Sequence, residues 1–270
     1  MNNKIVFFDL DGTLMSHDKT ILDSTKVALK ALQNKGIHTV ICTGRAPLMF
    51  EWLLDELSFD SYVSMNGQHV VFGGKEIFSN PMKREDMQKL TELANEKGHG
   101  LTYSTFDNFV TNASEHPLIT AGTTRLKIPY PPVDKEICSH SHINQVQIYC
   151  EPEETEQYMQ LFNDYSFVRW DECSVDMLPN GASKAIGIQK MLEHLNIPIE
   201  NSYAFGDGLN DMQMIETVGT GIAMENAIPE LKEVADHVTA SCSEDGILKG
   251  LLEVGLLEEK DVPLLQGIQK

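Results

Sequence analysis

The sequence predicts an α/β fold: a parallel sheet with helices on its faces, interrupted by an α+β insert. Three observations predict it. Strand-length apolar runs alternate with helix-period segments over residues 4–67. The same alternation returns after residue 182. Between them, over residues 82–182, a mixture of helix, hairpin, loop and strand patterns replaces it. Strand, helix, strand is the order of a parallel sheet, and this mixture reads as an α+β insert.

Each element has a local reason. "KIVFFDL" is a continuous apolar run, as expected of a strand buried on both faces. "DSTKVALKALQNKG" puts Val27, Ala28, Ala31 and Leu32 at helical spacing. Asp23 or Ser24 is expected to cap this helix, and Gly36 to end it. "IHTVICTG" reads as a second buried strand. Pro47 suits the first turn of a helix over "PLMFEWLLDEL". "SYVSMNG" reads as a third strand, and "HVVFGGKEIFS" as a hairpin about Gly73-Gly74.

The insert opens with the helix "REDMQKLTELANEKG", ending near Gly98. "LTYSTFDNFVTN" is a hairpin turning at Asp107-Asn108. Residues 115–142, with Pro129, Pro131 and Pro132, read as irregular loop. "NQVQIYC" is a strand, "PEETEQYMQLFNDY" a helix, and "FVRWDECSVDMLPN" one or two strands. The first pattern then resumes: helix "SKAIGIQKMLEHLN", strand "SYAFGD", helix "LNDMQMIETVG", short strands "GIAM" and "ADHVT", and the closing helix "EDGILKGLLEVGLL". The expected domains are a core of residues 1–81 and 183–270 and an insert of 82–182.

Composition excludes several functions. Forty acidic against 21 basic residues give a formal charge of −19. That balance opposes nucleic-acid backbones and anionic membrane surfaces. It leaves room for a small anion in one local positive pocket. "MNNKIVFFDLDG" runs straight into the first strand, so no signal peptide is expected, and no apolar run has the length of a membrane span. The five cysteines (Cys42, Cys138, Cys150, Cys173, Cys242) form no CxxC pair, which fits a reducing cytoplasm.

The chemistry concentrates at strand ends. "FFDLDGTL" closes the first strand with Asp9 and Asp11, two carboxylates that repel unless a positive charge lies near. A calcium loop needs glycine sixth and glutamate twelfth; here Gly12 is fourth and Thr20 twelfth, so that reading fails. A turn cap explains Asp11 before Gly12 but not Asp9. Residues i and i+2 share a side, so both carboxylates can face one site at the carboxyl end of the sheet. "SYAFGDGLNDMQMIE" carries a second acidic cluster, Asp207 with Asp211. Asp211 stands where a dinucleotide loop needs its third glycine, which rejects that loop. Converging carboxylates are stable around a cation, and hard oxygen ligands favour Mg²⁺. As the simpler alternative, Asn210-Asp211 caps the next helix.

Thr43-Gly44-Arg45 follows the second strand, where a hydroxyl and backbone amides can hold phosphate oxygens, although "TGR" alone is an ordinary turn. Lys184 opens a helix, against the dipole; it is either exposed or matched by an anion. His140 and His142 lack a third metal ligand nearby and read as exposed loop. Met, Phe and Tyr residues of the insert read as its core, and Met15 and Cys42 as apolar neighbours of the motifs.

"DLDGTL" (9–14), "TGR" (43–45), "SK" (183–184) and "GDGLND" (206–211) occur in the order and spacing of the haloacid dehalogenase superfamily, which the chain resembles over essentially its whole length. The resemblance is to its Cof-type, sugar-phosphatase-like branch, and implies a Rossmann-like core with an inserted α+β cap that sets substrate specificity. It implies Asp9 as nucleophile and Asp11 as acid and base. It implies Mg²⁺ held by the Asp9 side chain, the Asp11 carbonyl and Asp207, with Asp211 in support. Backbone groups around Leu10 and Asp11, the Thr43 hydroxyl, the Gly44 amide, Lys184 and Asn210 would grip the phosphoryl oxygens. The expectation is a cytoplasmic, Mg²⁺-dependent phosphatase of small phosphorylated metabolites, sugar phosphates foremost, acting through an aspartyl-phosphate. Alternatives are a phosphatase of phosphorylated cofactors such as pyridoxal phosphate or flavin mononucleotide, a sugar phosphomutase, and a regulatory protein binding a phosphorylated ligand. A monomer and a homodimer both fit the sequence.

Overall fold

The computed structural model describes residues 3–16 and 18–262. The chain begins β1 (Ile5–Phe8), α1 (Asp23–Asn34), β2 (His38–Cys42), α2 (Glu51–Leu57), β3 (Tyr62–Ser64), β4 (His69–Phe72) and β5 (Lys75–Ser79). It continues α3 (Arg84–Lys97), β6 (Gly100–Ser104), β7 (Phe109–Thr111), α4 (Pro117–Leu126), α5 (Ile137–His140), β8 (Gln145–Tyr149), α6 (Thr155–Leu161), β9 (Tyr165–Asp171) and β10 (Ser174–Pro179). Last come α7 (Lys184–Leu195), β11 (Ser202–Gly206), α8 (Met212–Thr217), β12 (Thr220–Ala223), α9 (Pro229–Val234), β13 (His237–Val238) and α10 (Gly246–Glu253). Two compact units result. One gathers the chain up to Gly44, Trp52–Phe78 and the chain from Ser183 onward; the other gathers Arg45–Glu51 and Ser79–Ala182. The outer ends of the expected core, residues 1–2 and 263–270, lie outside the described residues.

The first unit holds an eight-stranded sheet in the order β13-β12-β11-β1-β2-β3-β4-β5. It is parallel from β13 to β3, and β4 joins antiparallel. Ile5, Val6, Phe7 and Phe8 are all fully buried, so β1 is apolar on both faces as its sequence reads. Ile5 and Phe7 join a cluster with Ile188 and Met191 of α7 and Met214 and Ile215 of α8. On the strand next to β1, Phe205 stacks on Phe8 at 5.3 Å between centroids, and Gly250 of α10 lets the backbone approach the Phe205 ring. From β1 the chain moves one way to β2 and β3 and later returns on the other side as β11. Such a reversal opens a crevice at the carboxyl ends of the strands.

The second unit holds a five-stranded antiparallel sheet, β7-β6-β8-β10-β9. Its two faces differ. Leu101, Tyr103, Val146, Ile148, Val175 and Met177 face a core that includes Met87, Leu90, Tyr158 and Phe162, so the aromatic and methionine side chains build packing. The alternate residues Thr102, Ser104, Gln145, Gln147, Ser174 and Asp176 are polar, and all are buried. α4 covers one end of this polar face: Ile119 lies against Gly100, and Gly122 against the Tyr149 ring.

Several local expectations need correction. Residues 115–142 are not all loop, because α4 and α5 lie within them. Pro117 at the start of α4 fixes a helical φ, and Ile119 and Thr123 bury one face. α1 is not capped by Asp23 or Ser24: its N-cap is Leu22, and the Ser24 hydroxyl instead donates to Asp245 at 2.5 Å. The segment from Pro47 forms a 3₁₀ turn, Pro47–Met49, before α2 begins. A short helix, α9, lies between the two last strands. His140 is exposed and pairs with Asp134 at 3.0 Å. All five cysteines are buried and free. Among the described residues no helix is long and apolar enough to cross a membrane.

Candidate active site

The site is assembled from four chain segments of the first unit. β1 delivers Asp9, whose N–H still donates to Phe205 O of β11 at 3.0 Å. The chain then folds back on itself: Leu14 N–H donates to Asp9 O at 3.2 Å, Met15 to Leu10 O at 2.8 Å, and Gly12 to Met15 O at 2.8 Å. Leu10 is fully buried within this loop. Gly12 has φ +88°, and a Cβ there would fall 2.2 Å from Asp207 Oδ2. The glycine of "DLDG" is thus required by a carboxylate that is distant in sequence but adjacent in space. Thr13 Oγ1 donates to Asp207 Oδ1 at 3.0 Å, and Asn226 Nδ2 to Gly12 O at 2.8 Å, tying the loop to β11 and to the loop after β12.

β11 delivers Asp207. Asp211, fully buried, turns back so that its Oδ2 accepts from the amides of Asp207 and Gly208, both at 2.9 Å. These bonds close the 3₁₀ turn Leu209–Asp211 from its third position; toward α8 Asp211 makes no side-chain cap bond, so the helix cap read from the sequence is not found. The other oxygen of Asp211 faces the site, where Lys184 Nζ donates to Asp211 Oδ1 at 2.6 Å and to Asp9 Oδ1 at 2.5 Å. Lys184 is fully buried at the start of α7, so its ammonium is matched by two carboxylates rather than by water. α7 is held at this depth by a close backbone approach. A Cβ on Gly67 would meet Ser183 O at 2.0 Å, and one on Gly187 would meet Val63 Cγ1 at 2.4 Å.

β2 delivers Thr43, buried, whose N–H donates to Val63 O at 2.9 Å. Gly44 follows beside Asn66, to whose Oδ1 a Cβ at Gly44 would come within 3.0 Å. Asn66 N–H donates to Thr43 O at 3.2 Å, and its Oδ1 accepts from Asn210 Nδ2 at 3.3 Å. Asn66 therefore bridges the turn after β2 and the loop after β11. It is not among the residues expected from the sequence. The available signal was "MNG" directly after a strand, since asparagine tolerates the left-handed φ of +52° found there. Arg45 is buried, its guanidinium donating to Met49 O at 3.5 Å.

Carboxylate oxygens of Asp9, Asp207 and Asp211 lie within 4.8 Å of one another. The Asp11 side chain is not in this group; it pairs with Lys19 Nζ. Burial pushes the Asp9 carboxyl well above its ordinary value; Lys184 opposes this, and Asp211, Asp207 and Asp11 add to it. Asp207 is pushed up to about 7 by burial and then by Asp211. Burial disfavours the Lys184 charge, but Asp211 and Asp9 outweigh it and hold the ammonium firmly protonated. Burial likewise raises the Cys42 thiol, which stays protonated beside the site. One cation among several carboxylates leaves negative charge in excess, in an all-oxygen donor set that suits a hard divalent cation.

A family model described as haloacid dehalogenase-like hydrolase matches residues 6–251. The "Putative phosphatase YkrA" of Bacillus subtilis (strain 168) is 43% identical over 96% of this chain and 100% of its own length. The HMP-PP phosphatase of Yersinia pseudotuberculosis serotype O:3 is 26% identical over 90% of this chain and 92% of its own. Among solved structures, a protein from Geobacillus kaustophilus HTA426 superposes with a TM-score of 0.90 at 44% identity, covering 94% of this chain and 99% of that one. The HAD subclass IIB sugar phosphatase BT4131 superposes with a TM-score of 0.82 at 29% identity, covering 94% of this chain and 100% of that one.

Proposed function

The chain belongs to the haloacid dehalogenase-like hydrolases and is a phosphatase of that family, and from that premise we propose that it hydrolyses small phosphorylated metabolites, sugar phosphates foremost, with Mg²⁺. The observation that carries the proposal is the buried group at the carboxyl ends of β1 and β11: Lys184 bonded to both Asp9 and Asp211, with Asp207 beside them.

In this proposal Asp9 attacks phosphorus, the bond to the leaving oxygen breaks, and Asp11 gives that oxygen its proton. Asp11 then takes a proton from water, which breaks the bond between phosphorus and Asp9 and frees phosphate. Lys184 orients Asp9 and offsets phosphoryl charge. Thr43, the Gly44 amide, Asn210 and the amides about Leu10 bind the phosphoryl oxygens, with Asn66 holding Asn210. Asp9, Asp207 and the Asp11 carbonyl would hold Mg²⁺, with Asp211 in support. When bound, the cation supplies charge that lets a phosphate dianion approach the carboxylates.

We assign residues 82–182 as a cap that selects the substrate. The buried polar face of its sheet supports a sugar. Its hydroxyls, amides and single carboxylate match the alternating donors and acceptors of a polyol. Ser104 Oγ has no hydrogen-bond partner among the described residues. A screen for phosphate release tests the proposal, using sugar phosphates, pyridoxal phosphate, flavin mononucleotide and an aryl phosphate, each with and without Mg²⁺. Mg²⁺-dependent release, fastest on sugar phosphates, is expected. Isomerised sugar phosphate without release would instead establish a mutase, and no reaction on the whole panel would favour a binding protein.

A further inference from the structure

Asp11 is the one proposed catalytic side chain that does not face Lys184. Its carboxylate pairs with Lys19 Nζ. Lys19 reaches it from a tight loop: Lys19 N–H donates to Ser16 O at 2.8 Å, Ser16 N–H donates to Thr20 O at 2.9 Å, and the Ser16 and Thr20 hydroxyls meet at 2.9 Å. The loop holds Lys19 at φ +59°, a left-handed conformation that costs backbone energy in most residues with a Cβ. Glycine would remove that cost and asparagine would lower it, so a lysine there points to a role for its side chain.

Charge identifies the role. Lys184 is committed to Asp9 and Asp211. The Asp11 carboxylate stands outside the group of Asp9, Asp207 and Asp211 that gathers about Lys184. The ammonium of Lys19 lies at that carboxylate. Both side chains are partly covered, at 20% and 33% exposure, so the pair is incompletely screened.

We propose that Lys19 is a positioning residue for Asp11, holding its carboxylate in place for proton transfer to the leaving oxygen. This rests on the assignment of Asp11 as acid and base. The test compares Lys19→Asn, Lys19→Arg, Asp11→Asn and the unaltered enzyme on phosphate monoesters whose leaving groups range from p-nitrophenol to simple alcohols. The parameter read is kcat/KM, which covers steps up to transfer onto Asp9. A nitrophenolate leaves without a proton and an alkoxide does not. Lys19→Asn is therefore expected to lower kcat/KM on alkyl phosphates by about 10- to 100-fold, a large part of the gain from general acid catalysis. On p-nitrophenyl phosphate it should stay within about twofold of the unaltered enzyme, since that step needs no acid. Lys19→Arg should restore the alkyl rates. Asparagine tolerates the left-handed backbone, so thermal stability should hold. An equal loss on every substrate, no loss on any, or no rescue by arginine overturns the role of Lys19 alone. If Asp11→Asn itself shows no dependence on the leaving group, the assignment of Asp11 falls and this proposal with it.

Discussion

With Asp207 in the proposed cation site, cation binding should depend on pH in a way that can be measured. Its carboxyl stands at about 7 against an ordinary 3.8, pushed up first by burial and then by Asp211. Fully expressed, that difference is worth about 4 kcal/mol; partial exposure of Asp207 screens some of it, leaving about 2 kcal/mol. The folded protein holds this proton more tightly than the unfolded chain. The associated stability is complete below the unfolded value of 3.8 and is lost as pH rises to about 7. A cation must displace the proton. Below about pH 7 the apparent Mg²⁺ affinity should therefore fall at least about tenfold per pH unit, the raised Asp9 carboxyl adding to the slope, and it should level off once both carboxylates are ionised. Calorimetric titration with Mg²⁺ across this range, in buffers of different ionisation enthalpy, reads both affinity and proton release. The expected result near pH 6 is at least about one proton released per cation, declining as pH rises, with a larger Mg²⁺-induced rise in Tm on the alkaline side. An affinity independent of pH, with no proton release, would refute a raised Asp207 carboxyl in the cation site.

Other consequences follow from single contacts. Lys184→Met removes the ammonium between two buried carboxylates, and should cost about 3–5 kcal/mol in denaturant unfolding and at least about 100-fold in turnover. Unchanged stability would mean that the ion pair carries no net energy. Gly67→Ala puts a Cβ 2.0 Å from Ser183 O at a backbone φ of +88°, so α7 must shift and carry Lys184 with it. Loss of about 2 kcal/mol or more and a joint loss of activity are expected, and a fully active variant would show that Lys184 does not depend on that approach. Asn66→Ala frees Asn210, and should weaken inhibition by inorganic phosphate several-fold, roughly the worth of one hydrogen bond, with no change in Mg²⁺ affinity.

Much of the fold and site was legible in the sequence because the relevant signals are local. The apolar runs of β1, β2 and β11 each end in the polar residues that form the site, and an open parallel sheet places such ends together. α4 was not legible. Its sequence PLITAGTTRL is poor in strong helix formers, prolines follow it closely, and its stability comes from burying Ile119 and Thr123. Asn66, Thr13 and Lys19 were hidden for a different reason. Each is an ordinary turn residue by pattern, and its significance lies in a partner brought close by the fold: Asn210 for Asn66, Asp207 for Thr13, and the carboxylate of Asp11 across a tight loop for Lys19. The depth of Lys184 was equally hidden, because the glycine contacts that bury it join β3, the turn after it and α7.

The central claim is that Asp9 carries the phosphoryl group, and trapping the intermediate tests it most directly. Borohydride reduces an acyl phosphate to an alcohol, so an aspartate caught as its phosphate becomes homoserine while free carboxylates do not react. Enzyme turning over a sugar phosphate with Mg²⁺ should yield homoserine at position 9 by peptide mass analysis, and enzyme without substrate should yield none. Homoserine at Asp11 or Asp207, or its absence throughout during measured phosphate release, would contradict the account.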